Sequence, residues 1–249
     1  MDRFGFGVDI GGSGVKGAVV DLVTGALQAE RVKVPTPKPS TPELVAAAVA
    51  EVVRRVGWDG PIGATFPAVV VHGVAQTAAN VDSRWIGTDV EKVLAQELGQ
   101  PVLALNDADA AGVAEARFGA AKDRLGLVIV TTLGTGIGTA LLYNGTLIPN
   151  SELGHIELGG IDAEKGASSA AKERESLSWE RWAKRLQKYY TALEDYLNPQ
   201  LFVVGGGVSR KSEKFLPLLK LRTPIVAATE QNEAGIVGAA MVVSEAFAG

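Results

Sequence analysis

An α/β fold of two lobes is what this sequence predicts, on three observations. Apolar strand-like runs alternate with amphipathic helix-like runs along the chain. One pattern, strand then glycine-rich bend then strand, occurs twice, as "DIGGSGVKGAVVD" near the start and as "TLGTGIGTALLYN" past the middle. A helix rich in small residues closes the sequence, in "NEAGIVGAAMVVSEAFAG". A duplicated β-hairpin, one copy per lobe, accounts for the pattern. The expected division is a small N-terminal lobe over 1–107, joined by the closing helix at about 232–249, and a larger C-terminal lobe over 108–231.

The elements follow in order. "FGFGVDIGG" is a short apolar strand ending at glycines, "SGVKGAVVDL" a second strand and "GALQAERVKV" an alternating third. A Pro-rich connector, "PTPKPSTP", ends on Thr41 and Pro42, which suit the cap and first turn of a helix over 42–56. Its expected apolar stripe is Leu44, Ala48, Val52 and Val56. "GPIGATFPAVV" is a strand leading into a loop, and "NVDSRWIGTDVEKVLAQELG" a loop and then a helix stopping at Gly99. "PVLALND" is a buried strand, and "ADAAGVAEARFG" continues it as a helix. In the second half, Trp182, Leu186, Tyr189, Leu193 and Leu197 mark the buried face of a helix from Ser178 to Leu197. "PQLFVVGGGVS" and "TPIVAA" supply the remaining strands.

Composition narrows the function. The chain has 249 residues, 47% of them hydrophobic, enough for a sizeable core. A net charge of −4 gives no global attraction for nucleic acid or an anionic membrane, so neither is expected as a partner. With no cysteine, disulfides, cysteine zinc sites and a cysteine nucleophile are excluded. No apolar signal region opens the sequence and no run reaches the ~18 apolar residues of a membrane span, which points to the cytoplasm.

Three glycine turns follow strands: Gly11-Gly12-Ser13-Gly14, Gly134-Thr135-Gly136 with Thr132 just ahead of it, and Gly205-Gly206-Gly207. Glycine lets backbone N–H groups approach an anion, so these are candidate phosphate cradles, although hairpins also use glycine simply to bend. The first two lead into strands rather than helices, unlike a dinucleotide fingerprint. Asp9 ends the first strand, where a carboxylate can hold Mg²⁺ through water against donor phosphates. Lys16 is a candidate phosphate contact or an ordinary solvated lysine. Asp107, at the carboxyl end of a core strand, is the candidate general base, with a helix cap as its other possible job. "SELGHIELGG", 151 to 160, gathers Glu152, His155 and Glu157, and Glu164 follows. One His among carboxylates is an unusual zinc set, whereas carboxylates, imidazole and the Asn106 amide suit paired sugar hydroxyls. A structural histidine is the third alternative, and on a strand over Gly154 to Leu158 Glu157 would face solvent, with no role assigned to it.

In order along nearly the whole chain, "DIGGSGVKGAVVD", "NVDSRW", "LNDADAAGVAEARFG", "TTLGTGIGTALL", "ELGHIELGG", "LFVVGGGVS" and "NEAGIVGAA" resemble the ROK family of sugar kinases and repressors. That family lies within the actin-like, ribonuclease H-like superfamily, so the resemblance implies two lobes with a cleft between them. ROK kinases usually carry a cysteine-rich zinc loop after the Gly-His segment. "GGIDAEKGASSAAKERESLSWERW" stands there instead, which is similar to actinobacterial members that phosphorylate glucose from inorganic polyphosphate, often also from ATP. The resemblance implies Asp107 as catalytic base. It implies Asn80, Asn106, Glu152 and His155 as sugar-binding residues, with Glu164 a further match. Gly11, Gly12, Gly134, Thr135 and Gly136 match the phosphate loops, and Gly206 and Gly207 the segment bordering the nucleotide in ATP users. Mg²⁺, no zinc, and a homodimer are implied in the same way. An ATP-dependent hexokinase for glucose, mannose or an N-acetylated sugar is the alternative kinase. A noncatalytic sugar sensor fits less well, and a repressor would need a helix-turn-helix ahead of the first strand. A polyphosphate chain, offering only repeated charge, would need cations beyond the cleft. Arg181, Lys184, Arg185 and Lys188 form one such stripe, unless it is only the wet face of its helix. Lys165, Lys172, Arg210 and Lys211 are further candidates.

Overall fold

A computed structural model describes residues 3–78, 81–230 and 233–248. Asn80 lies outside the described residues. In chain order the elements are β1 (Phe4–Ile10), β2 (Val15–Asp21), β3 (Val32–Val34), α1 (Pro42–Val56), β4 (Ile62–Phe66), a ribbon of β5 (Val70–Val71) and β6 (Val74–Ala75), α2 (Val90–Leu98), β7 (Val102–Asn106) and α3 (Asp107–Arg117). Then come β8 (Leu127–Leu133), β9 (Ile137–Tyr143), β10 (Thr146–Ile148), a ribbon of β11 (Glu157–Leu158) and β12 (Ile161–Asp162), α4 (Ala163–Ala167), α5 (Ser169–Arg174), α6 (Trp179–Leu197), β13 (Leu201–Gly205), β14 (Ile225–Ala227) and α7 (Ala234–Ala246). The chain divides into two compact units, Met1–Ala114 with Glu233–Gly249, and Glu115–Asn232.

Each unit is built on a five-stranded sheet, ordered β3-β2-β1-β4-β7 in the first and β10-β9-β8-β13-β14 in the second. The topologies are identical. A hairpin and its next strand pair antiparallel, and two later strands add in parallel on the other side. Duplication thus covers the whole sheet, not only the hairpin. The two hairpin bends differ in length. Ile10 pairs with Val15 across residues 11–14, and Leu133 pairs with Ile137 across residues 134–136.

Local chemistry sets most helix ends. Thr41 caps α1 by accepting from Leu44 N, and Gly57 closes it with φ of 76°. Asp89 and Gly99 do the same for α2, and Ser178 and Asn198 for α6. Each such N-cap is worth about 1 kcal/mol. Of the expected α1 stripe, Val52 is buried, Ala48 and Val56 are partly buried and Leu44 is exposed. Val45, Val49, Val52 and Val53 are buried in one cluster with Phe6, Val8 and Ile62 of the sheet. The third strand is shorter than "GALQAERVKV" suggests. Leu27 makes only an isolated bridge to Val20 before Gln28-Ala29-Glu30-Arg31, and pairing resumes at Val32. The α6 face is as expected, with Trp182, Leu186, Tyr189 and Leu193 buried against Ile129, Phe202 and Phe215.

β1 has two unlike faces. Phe6, Val8 and Ile10 belong to the core with α1 and α2. Gly5, Gly7 and Asp9 lie on the opposite face, under α7. A Cβ on Gly7 would collide with the carbonyl of Ile236, and one on Gly63 with the carbonyl of Ala239. The backbone of α7 therefore rests directly on the backbones of β1 and β4. Gly238 likewise meets the carbonyl of Ala110 in α3. No helix among the described residues is long and apolar enough to cross a membrane.

Replacing Gly63 by Ala should lower the unfolding free energy in urea by about 1–3 kcal/mol, the range for overpacking. Gly12→Ala should leave it unchanged, since open space surrounds Gly12. Equal stability of the two variants would show that α7 does not touch the sheet.

Candidate active site

In the first unit the candidate residues cluster at the carboxyl ends of the strands. Asp9 and Lys16 are directly paired across the hairpin, and Lys16 Nζ lies 3.2 Å from Asp9 Oδ2. Thr65, opposite Asp9 on β4, donates its hydroxyl to Asp9 Oδ1 at 2.9 Å and accepts from Ile10 N at 3.2 Å. A Cβ on Gly235, in the first turn of α7, would lie 3.3 Å from Asp9 Oδ1. Asp9 therefore stands at a helix N-terminus beside the first glycine turn, where anions and hydrated cations are accommodated. In that turn Gly11 N donates to Gly14 O at 3.1 Å. Thr36 Oγ1 ties down Gly11 O, while Ser13 is exposed.

At the β7–α3 junction the roles of the neighbours separate. Asn106 Oδ1 accepts from Ala108 N at 2.8 Å and Asp109 N at 3.3 Å, so Asn106 supplies the cap of α3. Its Nδ2 donates to Ala68 O at 3.0 Å, which leaves a ligand only the second amide hydrogen. Asp107 is exposed at the first residue of the helix, and its Oδ1 also accepts from Ala108 N at 2.8 Å.

The second unit holds the other half of the candidates. Gly134 N donates to Gly136 O at 3.0 Å, closing the second turn, with Thr132 two residues ahead. Glu164, on α4, accepts from Ile137 N at 2.9 Å, and a Cβ on Gly136 would strike its Oε2. Ala170 N donates to Gly134 O at 3.1 Å. Gly206, with φ of 81°, backs onto Leu133 at the start of the same turn, and Gly207 faces open space.

His155 ends a short 3-10 turn over Leu153–His155, and Glu157 is exposed on β11 without an assigned role. His155 Nδ1 lies 3.0 Å from Asp162 Oδ2, and its Nε2 lies 3.6 Å from Glu152 Oε2. Asp162 Oδ1 also caps α4 by accepting from Glu164 N at 2.9 Å. Sequence reasoning missed Asp162. Its visible signal was that of a cap before a short helix, and its contact with His155 depends on the β11–β12 ribbon folding back. The Asp162 hydrogen bond raises the His155 pKa above its ordinary value, against the opposing effect of burial, with Glu164 adding to the rise. Burial raises Glu152, with His155 opposing and Glu164 reinforcing. Burial also pushes Asp162 up, but its hydrogen bonds from His155 and the α4 amides prevail and it ends below the ordinary value. The described residues contain no group of three or more His, Cys, Asp or Glu side chains arranged to hold a metal ion.

The basic stripe of α6 does not act as a unit. Arg181, Lys184 and Lys188 are exposed. Arg185 is committed to Glu175, with Nη2–Oε2 at 2.5 Å, and to Gly166 O at 2.9 Å. A different cluster forms around Trp179, where Lys172 Nζ sits 4.2 Å and Lys214 Nζ 5.8 Å from the ring centroid. Arg210, Lys211 and Lys214 share the turn over Gly207–Lys214. Lys165 is exposed beside Glu164.

Two copies of one sheet, each led by a hairpin with a glycine turn, give the duplicated α/β fold that ROK sugar kinases share. The sequence model of the ROK family matches residues 5–169, and the chain belongs to that family. It is 55% identical over 240 residues to the polyphosphate glucokinase of Mycobacterium tuberculosis (strain ATCC 25618 / H37Rv), covering 96% of this chain and 91% of that one. The crystal structure of the inorganic polyphosphate/ATP-glucomannokinase from Arthrobacter sp. strain KM matches with a TM-score of 0.95 and 50% identity, over 99% of this chain and 100% of that one. A ROK family glucokinase from Streptomyces griseus, in complex with glucose and AMPPNP, matches with a TM-score of 0.82 and 26% identity over 97% and 99% of the two chains.

Asp162→Asn should move the His155 titration midpoint down toward the ordinary value of 6.5, as read from its imidazole NMR signals. The sign follows from linkage. A raised folded-state pKa gives stability that is complete below the ordinary value and lost as pH rises through the folded one. Asp162, held below its ordinary value of 3.8, contributes only while ionised, so the variant should lose stability chiefly at mildly acid pH, between 3.8 and 6.5. An unmoved midpoint would remove Asp162 from this role.

Proposed function

We infer that this chain is a glucokinase that transfers the terminal phosphoryl group of inorganic polyphosphate, or of ATP, to the 6-hydroxyl of glucose. The observation that carries this reading is the near-full-length identity to the mycobacterial polyphosphate glucokinases. The geometry supports it through the two glycine turns, the exposed Asp107 and the His155–Asp162 pair.

A sugar hydroxyl is a poor nucleophile until its proton has an acceptor. Asp107 takes that proton as the oxygen bonds to the terminal phosphorus. The bond from that phosphorus to the bridging oxygen breaks, releasing ADP or a polyphosphate shorter by one unit. Asn106 takes over helix capping, so Asp107 is not required for that task. His155, its Nδ1 oriented by Asp162, and Glu152 bond the other hydroxyls, with Asn106 contributing one amide hydrogen. Asn80 belongs to the same set by resemblance. Amides of the Gly11–Gly14 and Gly134–Gly136 turns, with Gly206 and Gly207, receive donor oxygens, so catalysis is mostly positioning and charge stabilisation.

The chemistry of the first turn fits Mg²⁺ carried in with the donor. Mg²⁺ is commonly held by one or two carboxylates plus substrate phosphates and water. Asp9 supplies one carboxylate, part-exposed and shared with Lys16. Bound there, the ion would neutralise donor charge, and Asp9 would hold it through water. A homodimer and a cytoplasmic location belong to the same reading.

Polyphosphate presents no base to stack on. Lys172 and Lys214, gathered at Trp179, are taken as the contacts for its distal units, and in the α6 stripe Arg185 is already paired while Arg181, Lys184 and Lys188 are exposed. Arg210 and Lys211 lie in the same turn as Lys214.

Asp107→Asn should retain glucose binding and reduce kcat by about 10²–10⁴-fold. A coupled assay crossing glucose and mannose with polyphosphate and ATP measures this, and near-normal kcat removes Asp107 as base. In the same assay, Lys172→Gln with Lys214→Gln should raise the polyphosphate KM roughly tenfold, about 1.4 kcal/mol, and leave the ATP KM unchanged. Equal effects on both donors would return these lysines to the solvated surface.

A further inference from the structure

Glu164 matches a sugar-binding position, yet the bonds it makes point elsewhere. Its carboxylate accepts from Ile137 N at 2.9 Å, the first amide after the Gly134–Gly136 turn. It also fills the space that any side chain at position 136 would need. Ala170 N, just beyond in the same cysteine-free segment, holds Gly134 O at 3.1 Å. Both ends of the second turn are therefore fastened by residues 164–170, the stretch that stands where relatives carry a zinc loop. Two residues before Glu164, Asp162 holds His155 at 3.0 Å. One short stretch thus grips the sugar-side imidazole with one carboxylate and the donor-side turn with the next.

We propose that Glu164 is a positioning residue for the phosphoryl donor: by holding Ile137 N it fixes the Gly134–Gly136 turn in the form that presents its amides to phosphate. A free turn of this kind, three residues long and rich in glycine, has many conformations to lose on binding an anion. Fastening both ends removes that cost before the donor arrives. Glu164 acts on the donor through the turn and not by touching it. The proposal rests on the kinase reading, in which this turn receives donor oxygens.

The test compares Glu164→Ala, which removes the acceptor, with Glu164→Gln, which keeps a carbonyl oxygen for Ile137 N. Steady-state kinetics with glucose and donor varied independently should show E164A raising the KM for both polyphosphate and ATP five- to tenfold. E164Q should keep both donor KM values within about twofold of wild type, whatever it does to the glucose KM. Hydrogen exchange at Ile137 should be at least tenfold faster in E164A and near wild type in E164Q. A rise confined to the glucose KM, or an equal donor-KM rise in both variants, overturns the proposal. So does unchanged Ile137 exchange in E164A. Should E164A fail to fold, Gly136→Ala, which displaces the carboxylate, must raise the donor KM and speed Ile137 exchange, and failure on either count overturns the proposal equally. A wild-type enzyme that transfers phosphate from neither donor would refute the kinase reading instead, leaving the exchange measurement to judge Glu164 as fastener.

Discussion

The contact of α7 with the first sheet is the constraint on which the first half of the site depends. Gly7 and Gly63 remove the side chains that would otherwise separate a helix from a sheet, so the helix backbone rests on the strand backbones. The gain is in dispersion and exclusion of water over a surface with little side-chain bulk. The consequence is positional. Gly235 arrives beside Asp9, and Gly238 seats against Ala110 of α3, the helix that begins with Asp107. A helix held by backbone contact has few alternative registers, because a shift of one residue would drive a side chain into the sheet. Asp9 and Asp107 thus take their places from the same packing.

The second unit reaches a comparable end by different means. Its face carries bulky side chains, with Tyr189, Tyr190 and Trp182 of α6 packed on Ile129 and Phe202. Thr131 and Tyr190 share a buried hydrogen bond of 2.7 Å that fixes the centre of this layer. The glycine turn is then held from outside by Glu164 and Ala170. At the position that Asp9 occupies before the first turn, counting back from the glycine, the second sheet has Thr132. The first turn is thus preceded by a carboxylate and the second by a hydroxyl, the carboxylate near the second turn coming instead from Glu164 on α4.

How much of this was legible in the sequence depended on the range of the interactions. The Thr41 cap, the Ser178 start and the Gly99 stop act within one helical turn and could be read directly, and the structure adds Asp89 and Gly57. The paired hairpins were visible because each is contiguous. Full duplication of the sheets was not, since β4, β7, β13 and β14 join by parallel pairing across long separations. The same limit explains the site. Asn106 and Asp107 were named together, but which of them caps α3 is decided by three-dimensional direction. Asp162 was passed over because its partner His155 meets it only through the β11–β12 ribbon. Arg185 read as one of four like cations until Glu175 was found beside it. Glu164 carried a role from resemblance, while its bond to Ile137 N depends on α4 lying behind the turn.

The place of α7 in the chain bears on how the protein is made. Synthesis runs from the N-terminus, so β1, β4 and β7 emerge with α1 and α2, yet the helix covering their other face is made only after the whole of the second unit. Until then the first sheet has a bare glycine face with exposed backbone, a surface that invites association with other chains. The second unit, contiguous in sequence, has no such wait. Assembly is therefore expected to run against the order of synthesis, the later-made unit being finished first and the earlier one closed last.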